Sequence, residues 1–257
     1  MAATMTRVFL LFAAALGSLA VTVAHADSVG TLQVNGTFTT HFDYVECPVG
    51  TPATTECFRF VSFGTGVVPG LGKVTTAFTL IYDDYGSACA HVHAQIPILV
   101  AGKGEIDLAT RSIGCINPNT PGLVPSSEVT VSGGSGRYAG ASGSGVLDNQ
   151  GIANRSVGQR TDTWTGTLNV AGLTFDTTPP QIAGATPKAV KTRAAKGTRV
   201  RYSISAADAT DGPVPVVCVP KSGSVFRVDR TTVTCTAVDG SGNTAKARIV
   251  ITVKRVR

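Results

Sequence analysis

The sequence predicts an all-β protein: an antiparallel eight-stranded barrel over residues 27–175, then a β-sandwich over 176–257. Three observations predict it. Past residue 26 the apolar residues do not recur at helical spacing, and runs rich in Val, Thr, Ile and Phe are broken by Gly, Pro, Asp and Asn. The two prolines of DTTPP, 176–180, cannot donate to a ladder and stiffen the connection between two such blocks. Charge changes at the same place: residues 27–175 hold 7 Lys and Arg against 11 Asp and Glu, and 176–257 hold 14 against 5.

The first 26 residues read as a signal peptide. Arg7 precedes the apolar run VFLLFAAALGSLAVTVA, and Ala24-His25-Ala26 is a small-x-small cleavage site that leaves Asp27 first. The run is rich in Ala and no stop-transfer charges follow it, so the expected product is secreted and extracellular, with no integral membrane association and at most a non-covalent hold on a surface. All six cysteines lie beyond this segment, as suits an oxidising compartment, and none sits in a C-x-x-C.

In the first block eight strands are expected, near 31–45, 57–67, 73–83, 90–100, 103–115, 127–132, 143–153 and 160–175. An even antiparallel set with short Gly turns closes on itself and removes its edges; a two-sheet sandwich is the alternative. One hairpin can be given a register. Val92, Ala94, Ile96 and Ile98 alternate with polar residues, as do Ile106 and Leu108, and pairing Ile98 with Ile106 and Ile96 with Leu108 keeps the apolar face together. Carried outward, that register sets Cys89 opposite Cys115 and predicts a cross-strand disulfide. Cys47 and Cys57 then remain to close the PVGTPATTE loop.

In the second block RVRYSISAAD, VPVVCVP, TTVTCTAVD and ARIVITVKRV alternate as strands, with Asp211-Gly212 and Asp239-Gly240 as turn dipeptides. The ordered segments DTTPPQI, GTRVRYSISAADATDG, VVCVPKSGSVFRVDRTTVTCTAVDGSGNTA and IVITV resemble the hyalin-repeat (HYR) domain, an immunoglobulin-like module of extracellular proteins linked with cell adhesion. The resemblance implies that fold, an adhesive role and a Cys218–Cys235 pair. It departs at one point, because the family usually has Gly in the turn before T-T-V-T-C and this chain has Asp229-Arg230.

Lys188, Lys191, Arg193, Lys196, Arg199 and Arg201, with the tail residues Lys254, Arg255 and Arg257, are expected to form a basic surface. Without interleaved aromatics, and outside the cell, it suits an acidic polysaccharide, a wall polymer or a surface protein and not nucleic acid. Asp208, Asp211 and Asp239 can gather at one end of the sandwich. Turn-forming Asp is far commoner than metal-binding Asp, however, and no EF-hand-like run of ligands occurs. No metal or cofactor is expected.

The first block offers little for catalysis. Its histidines are His41, His91 and His93, and no G-x-S-x-G, H-E-x-x-H or G-x-x-x-x-G-K occurs. His91 and His93 share a strand face and can supply two imidazoles to a metal, with Asp83 or Asp84 of the neighbouring strand as a candidate third ligand. The cupin arrangement of that motif needs a following Glu and a later His, and here Pro97 and Ile98 stand where the Glu falls. Glu105 and Asp107 fall opposite Leu99 and Pro97, about 13 Å from the imidazoles at ~3.3 Å per residue, too far for acid–base pairing. Trp164, the single Trp, is a candidate pocket floor against a core role.

VSGGSGRYAGASGSGVL, 131–147, places Gly134, Gly136 and Ala139 in the G-x-G-x-x-A spacing of a dinucleotide turn. That turn requires a helix after it, and ASGSGVLDNQ has no helical face. Through Val131, Gly133, Gly134, Ser135, Gly136, Tyr138, Ala141 and Gly143 the segment resembles the V-x-G-G-T-G-x-Y/F-x-x-A-x-G stretch of the allene oxide cyclase and dirigent barrel group. The resemblance implies a barrel and carries over no catalytic residue. Arg137 and Tyr138, its sizeable side chains, are expected near a barrel mouth. The functional expectation is an exported, non-catalytic binding or adhesion protein, with a cyclase- or dirigent-like enzyme or small-ligand carrier as the alternative.

Overall fold

The computed structural model describes residues 28–45, 58–83, 89–115, 126–153 and 157–257. The expected signal peptide and the Cys47–Cys57 pair lie outside the described residues. Eight strands run in chain order: β1 (Ser28–Val45), β2 (Phe58–Val68), β3 (Gly72–Asp83), β4 (Cys89–Val100), β5 (Gly104–Cys115), β6 (Ser126–Gly136), β7 (Ser142–Ala153) and β8 (Val157–Phe175). Each pairs with the next, and β1 pairs antiparallel with β8 from Ser28↔Phe175 to Asp43↔Val157, which closes the barrel.

Alternation dictates this closure. On β1 the even residues Leu32, Val34, Phe38 and Thr40 are buried, while Gln33, Asn35, Thr37 and Thr39 face solvent. The hairpin of β4 and β5 has the expected register, with Ile98↔Ile106, Ile96↔Leu108 and Cys89↔Cys115 as backbone partners. β6 runs farther than the sequence predicts, through the glycines to Gly136. Its register shifts between Asp107 and Leu108, which leaves Ser132 as an extra residue in a bulge.

The antiparallel order gives the barrel two unlike ends. At one end lie the short connections 69–71, 101–103 and 137–141, together with the start of β1 and the exit of β8. The residues that join the other consecutive strands lie outside the described residues.

After the linker come β9 (Gln181–Ala183), β10 (Lys188–Thr192), β11 (Thr198–Arg199), β12 (Ser205–Asp208), β13 (Gly212–Val214), β14 (Val216–Val219), β15 (Val225–Phe226), β16 (Asp229–Val238) and β17 (Thr244–Arg255). A four-stranded sheet in the order β10-β17-β16-β14 is accompanied by a three-stranded sheet β13-β12-β9 and the pair β11-β15. Val200, Phe226, Val233, Ile249, Ile251 and Val253 form its buried core, each apolar side chain contributing roughly 1.5–3 kcal/mol on full burial. Cys218 and Cys235 are directly opposed on β14 and β16 and are disulfide-bonded, in agreement with the family resemblance.

Two features differ from expectation. Residues 200–204 do not continue a strand, because Val200 exchanges backbone bonds with Gly223 and Ser224 and the Tyr202 amide donates to Ser222 Oγ. β10, unanticipated, adds in parallel to the edge of β17, with Val190↔Val253 facing the core and Lys191↔Lys254 facing out.

Candidate functional site

The barrel interior changes character along its axis. Near the short-turn end it is apolar, with Leu32, Val68, Leu71, Val74, Ile106 and Leu168 all buried. Toward the other end Thr40, Ser62, Thr110 and Asp162 are buried instead. Thr40 Oγ1 donates to Asp162 Oδ2 at 2.6 Å, and Arg160 Nε donates to the same oxygen at 3.0 Å. The Arg160 guanidinium also lies 5.6 Å from the centre of the Phe78 ring. Ser62 Oγ, Thr76 Oγ1 and Trp164 Nε1 are buried with no hydrogen-bond partner among the described residues. A buried polar group left in that state costs about 1–3 kcal/mol. Trp164 itself is fully buried within the barrel core, its indole N–H the only polar atom it offers.

The glycine-rich segment serves the short-turn end. Gly134 lies so close to its neighbours that a Cβ would stand 2.6 Å from the carbonyl oxygens of both Glu105 and Tyr138. Tyr138 is buried in the barrel core, and that burial pushes its phenol up from the usual range. Arg137 is exposed, its amide donating to the Lys103 carbonyl. Of the two residues expected near a barrel mouth, Tyr138 is thus packed into the core and Arg137 faces solvent.

The backbone register sets Asp83 opposite His91 and Ile81 opposite His93. Across the other edge of β4, His93 lies opposite Arg111, a positive neighbour that disfavours a metal there. Glu105 pairs with Asp107 instead of with either imidazole, and the hydrogen bond between the two carboxyls raises Glu105 above the usual carboxylate range.

A second constellation lies where the barrel meets the sandwich. The turn at 69–72 touches the loop 239–243 between β16 and β17, and Val67, Leu71, Lys103, Val238, Asp239 and Gly242 line a cleft of about 220 Å³. Behind it Asp176, Asp208, Asp211 and Asp239 each bring a carboxylate oxygen within 4.8 Å of the others. Asp176 begins the linker, Asp208 and Asp211 flank the turn between β12 and β13, and Asp239 opens the β16–β17 loop, so three separate segments converge. Asp208 Oδ1 accepts the amides of Thr210 and Asp211 at 2.7 and 3.1 Å, and Asp211 Oδ2 accepts the Gly240 amide at 2.7 Å. Asn243 Nδ2 donates to the Asp176 carbonyl at 2.9 Å and to Asp239 Oδ2 at 3.0 Å, tying linker to loop.

Like charges this close repel by on the order of 3 kcal/mol per buried pair at an effective dielectric of about 20. Burial raises the Asp239 carboxyl, its bonds to Asn243 oppose this, and the Asp208 charge adds to the rise. Lys103 approaches from the barrel. Burial lowers its ammonium, Arg137 lowers it further, and Asp211, Asp176 and Asp239 pull it back. Its Nζ donates to the Leu71 carbonyl at 2.9 Å. The sequence named Asp208, Asp211 and Asp239 as able to gather; it did not signal Asp176.

The basic residues fall into two groups. On β17 the odd residues Ile249, Ile251 and Val253 are buried, so Lys246, Arg248 and Lys254 share the outer face. Arg230 opposite Thr252 and Lys191 opposite Lys254 lie on that face too. Thr232, Thr234, Thr236 and Val250 fill it, together with Val217 and Val219, 67% and 68% exposed, and no acid interrupts it. Lys188 and Arg199 instead donate to the carbonyls of Arg201 and Gly223. Arg193, Lys196, Arg201, Arg255 and Arg257 are exposed around the same edge. Arg230, Lys246 and Arg248 were missed by sequence reasoning, although the alternation of ARIVITVKRV carried the signal for Arg248.

No curated protein matches the chain. The structure is similar to that of the pterocarpan synthase dirigent protein GePTS1, at 12% identity and a TM-score of 0.35, over 57% of this chain and 90% of that one. The model of the HYR domain matches residues 175–253. The chain therefore joins an eight-stranded antiparallel barrel to an HYR domain.

Proposed function

We propose that the protein is an exported, non-catalytic binding protein whose HYR domain attaches it to an acidic extracellular polymer. The observation that carries this reading is the acid-free outer face of the four-stranded sheet, with Lys191, Arg230, Lys246, Arg248 and Lys254 displayed among threonines. Residues two apart on a strand repeat at about 6.8 Å, so Lys246 and Arg248 present charge at a spacing suited to a linear polyanion. The HYR domain and its disulfide, both typical of extracellular proteins, support the exported setting.

A second reading places a small polar ligand in the barrel. It is favoured by the Arg160–Asp162–Thr40 cluster and by the partnerless Ser62, Thr76 and Trp164 polar atoms.

Chromatography of residues 27–257 on immobilised polyuronate distinguishes the two. Retention at low salt should fade as ionic strength approaches about 0.5 M, where the screening length shrinks to roughly 4 Å. The double substitution Lys246→Glu, Arg248→Glu should elute far earlier with an unchanged far-UV spectrum. Absence of retention at low salt, or equal retention of the variant, rejects the polyanion reading and leaves the barrel interior as the binding site.

A further inference from the structure

We propose that Asp176, Asp208, Asp211 and Asp239 bind one calcium ion, and that this ion fixes the HYR domain against the barrel. The donors are all carboxylate oxygens, with no imidazole or thiolate among them, which selects a hard cation over zinc or copper. All four oxygens lie within 4.8 Å of one another, close enough to share one ion at metal–oxygen bonds of about 2.4 Å, the calcium range. Magnesium keeps several waters and is usually held by one or two carboxylates, so four carboxylates favour calcium.

A cluster of acids alone does not make a site, and here a separate observation points to a ligand. Asp208 is 7% exposed, and while its Oδ1 takes two backbone amides, its Oδ2 is shielded from solvent with no hydrogen-bond donor. A carboxylate oxygen stripped of water and given no proton donor is stabilised by a cation. Lys103 supplies one positive charge in the neighbourhood, but its ammonium is directed to the Leu71 carbonyl.

The position gives the ion its consequence. Asp176 is the first residue after the barrel's last strand, and Asp239 opens the loop whose glycines abut the barrel turn at 69–72. An ion bridging them clamps linker and loop together, and Asp239 lines the cleft that admits it. With calcium bound the two parts move as one body; without it the four charges push linker, turn and loop apart.

The test is calorimetric titration of chelator-treated residues 27–257 with calcium chloride, paired with thermal unfolding. One ion per chain is expected, with a dissociation constant on the order of 10⁻⁴–10⁻³ M as in extracellular modules. A rise in Tm of about 4 °C is expected at ten times that concentration. Asp208→Asn should weaken binding at least tenfold. Asp211→Asn is the second variant: Asp211 is exposed, so its loss leaves the fold intact, and it should also weaken binding at least tenfold. No calcium heat and no Tm change up to 10 mM, unchanged affinity in both variants, or equal stabilisation by sodium at matched ionic strength would each overturn the proposal.

Discussion

A Cβ placed on Gly72 would stand 2.4 Å from the carbonyl oxygen of Gly240, so barrel and sandwich meet backbone against backbone. Gly242 completes the contact, since its own Cβ would stand 2.8 Å from Val67 Cγ1 and 3.0 Å from the Val68 carbonyl oxygen. Side-chain volume is excluded from this seam by steric necessity, and its glycines cannot be read as flexible hinges.

Gly72→Ala should therefore destabilise the chain by about 2–3 kcal/mol, from overpacking added to the cost of a positive φ. Gly102→Ala is the matched control. Gly102 also has a positive φ, +71° against +98° for Gly72, but nothing lies within 4 Å of its would-be Cβ. Its cost should stay near 1 kcal/mol. Urea unfolding of both variants isolates the seam, and equal losses would show that the backbone approach contributes nothing.

Asp229 is the only non-Gly residue with positive φ among the described residues, at 115°, and it stands in the turn where the HYR family usually has Gly. The departure noted in the sequence is thus a point of backbone strain. Asp229→Gly should stabilise the protein by about 1 kcal/mol, the relief of strain exceeding the entropy that Gly adds to the unfolded chain. Thermal unfolding should show a gain of about 2–4 °C. A loss would mean that the aspartate makes a contact outweighing its φ.

Cys89 and Cys115, the first residue of β4 and the last of β5, are backbone partners. Peptide mapping of unreduced protein should recover them as one linked pair. Replacing both with Ser should cost on the order of 2–4 kcal/mol. A peptide linking Cys89 to Cys47 or Cys57 would refute the pairing.

The barrel was legible because its information is local and periodic. In AHVHAQIPILV and KGEIDLATRSI the buried residues Val92, Ala94, Ile96, Ile98, Ile106 and Leu108 recur with period 2 on one face, so a one-residue slip would expose the whole set, and register follows. The acidic seam was only partly legible. Asp208 and Asp211 stand three residues apart in one turn, but Asp176 joins them across the linker, and no local pattern encodes that meeting. The basic surface was read from the density of Lys and Arg, which gathered 188–201; strand parity selects Arg230, Lys246 and Arg248 instead, because a sheet face is defined by alternation and not by proximity in sequence. The G-x-G-x-x-A spacing was set aside in the sequence for want of a helix after it, and the structure gives Gly134 a close backbone approach to the carbonyls of Glu105 and Tyr138 instead.

The pairing of Ser28 with Phe175 also sets the timetable of folding. A barrel whose first strand is sealed by its last cannot close until the whole of 28–175 is available, so its decisive contacts are the most distant in sequence and among the slowest to form. A ribosome or translocation channel still holding β8 holds the barrel open. During that interval β1 and β7 present unpaired edges, and the polar residues alternating along β1 then guard a growing chain against its neighbours.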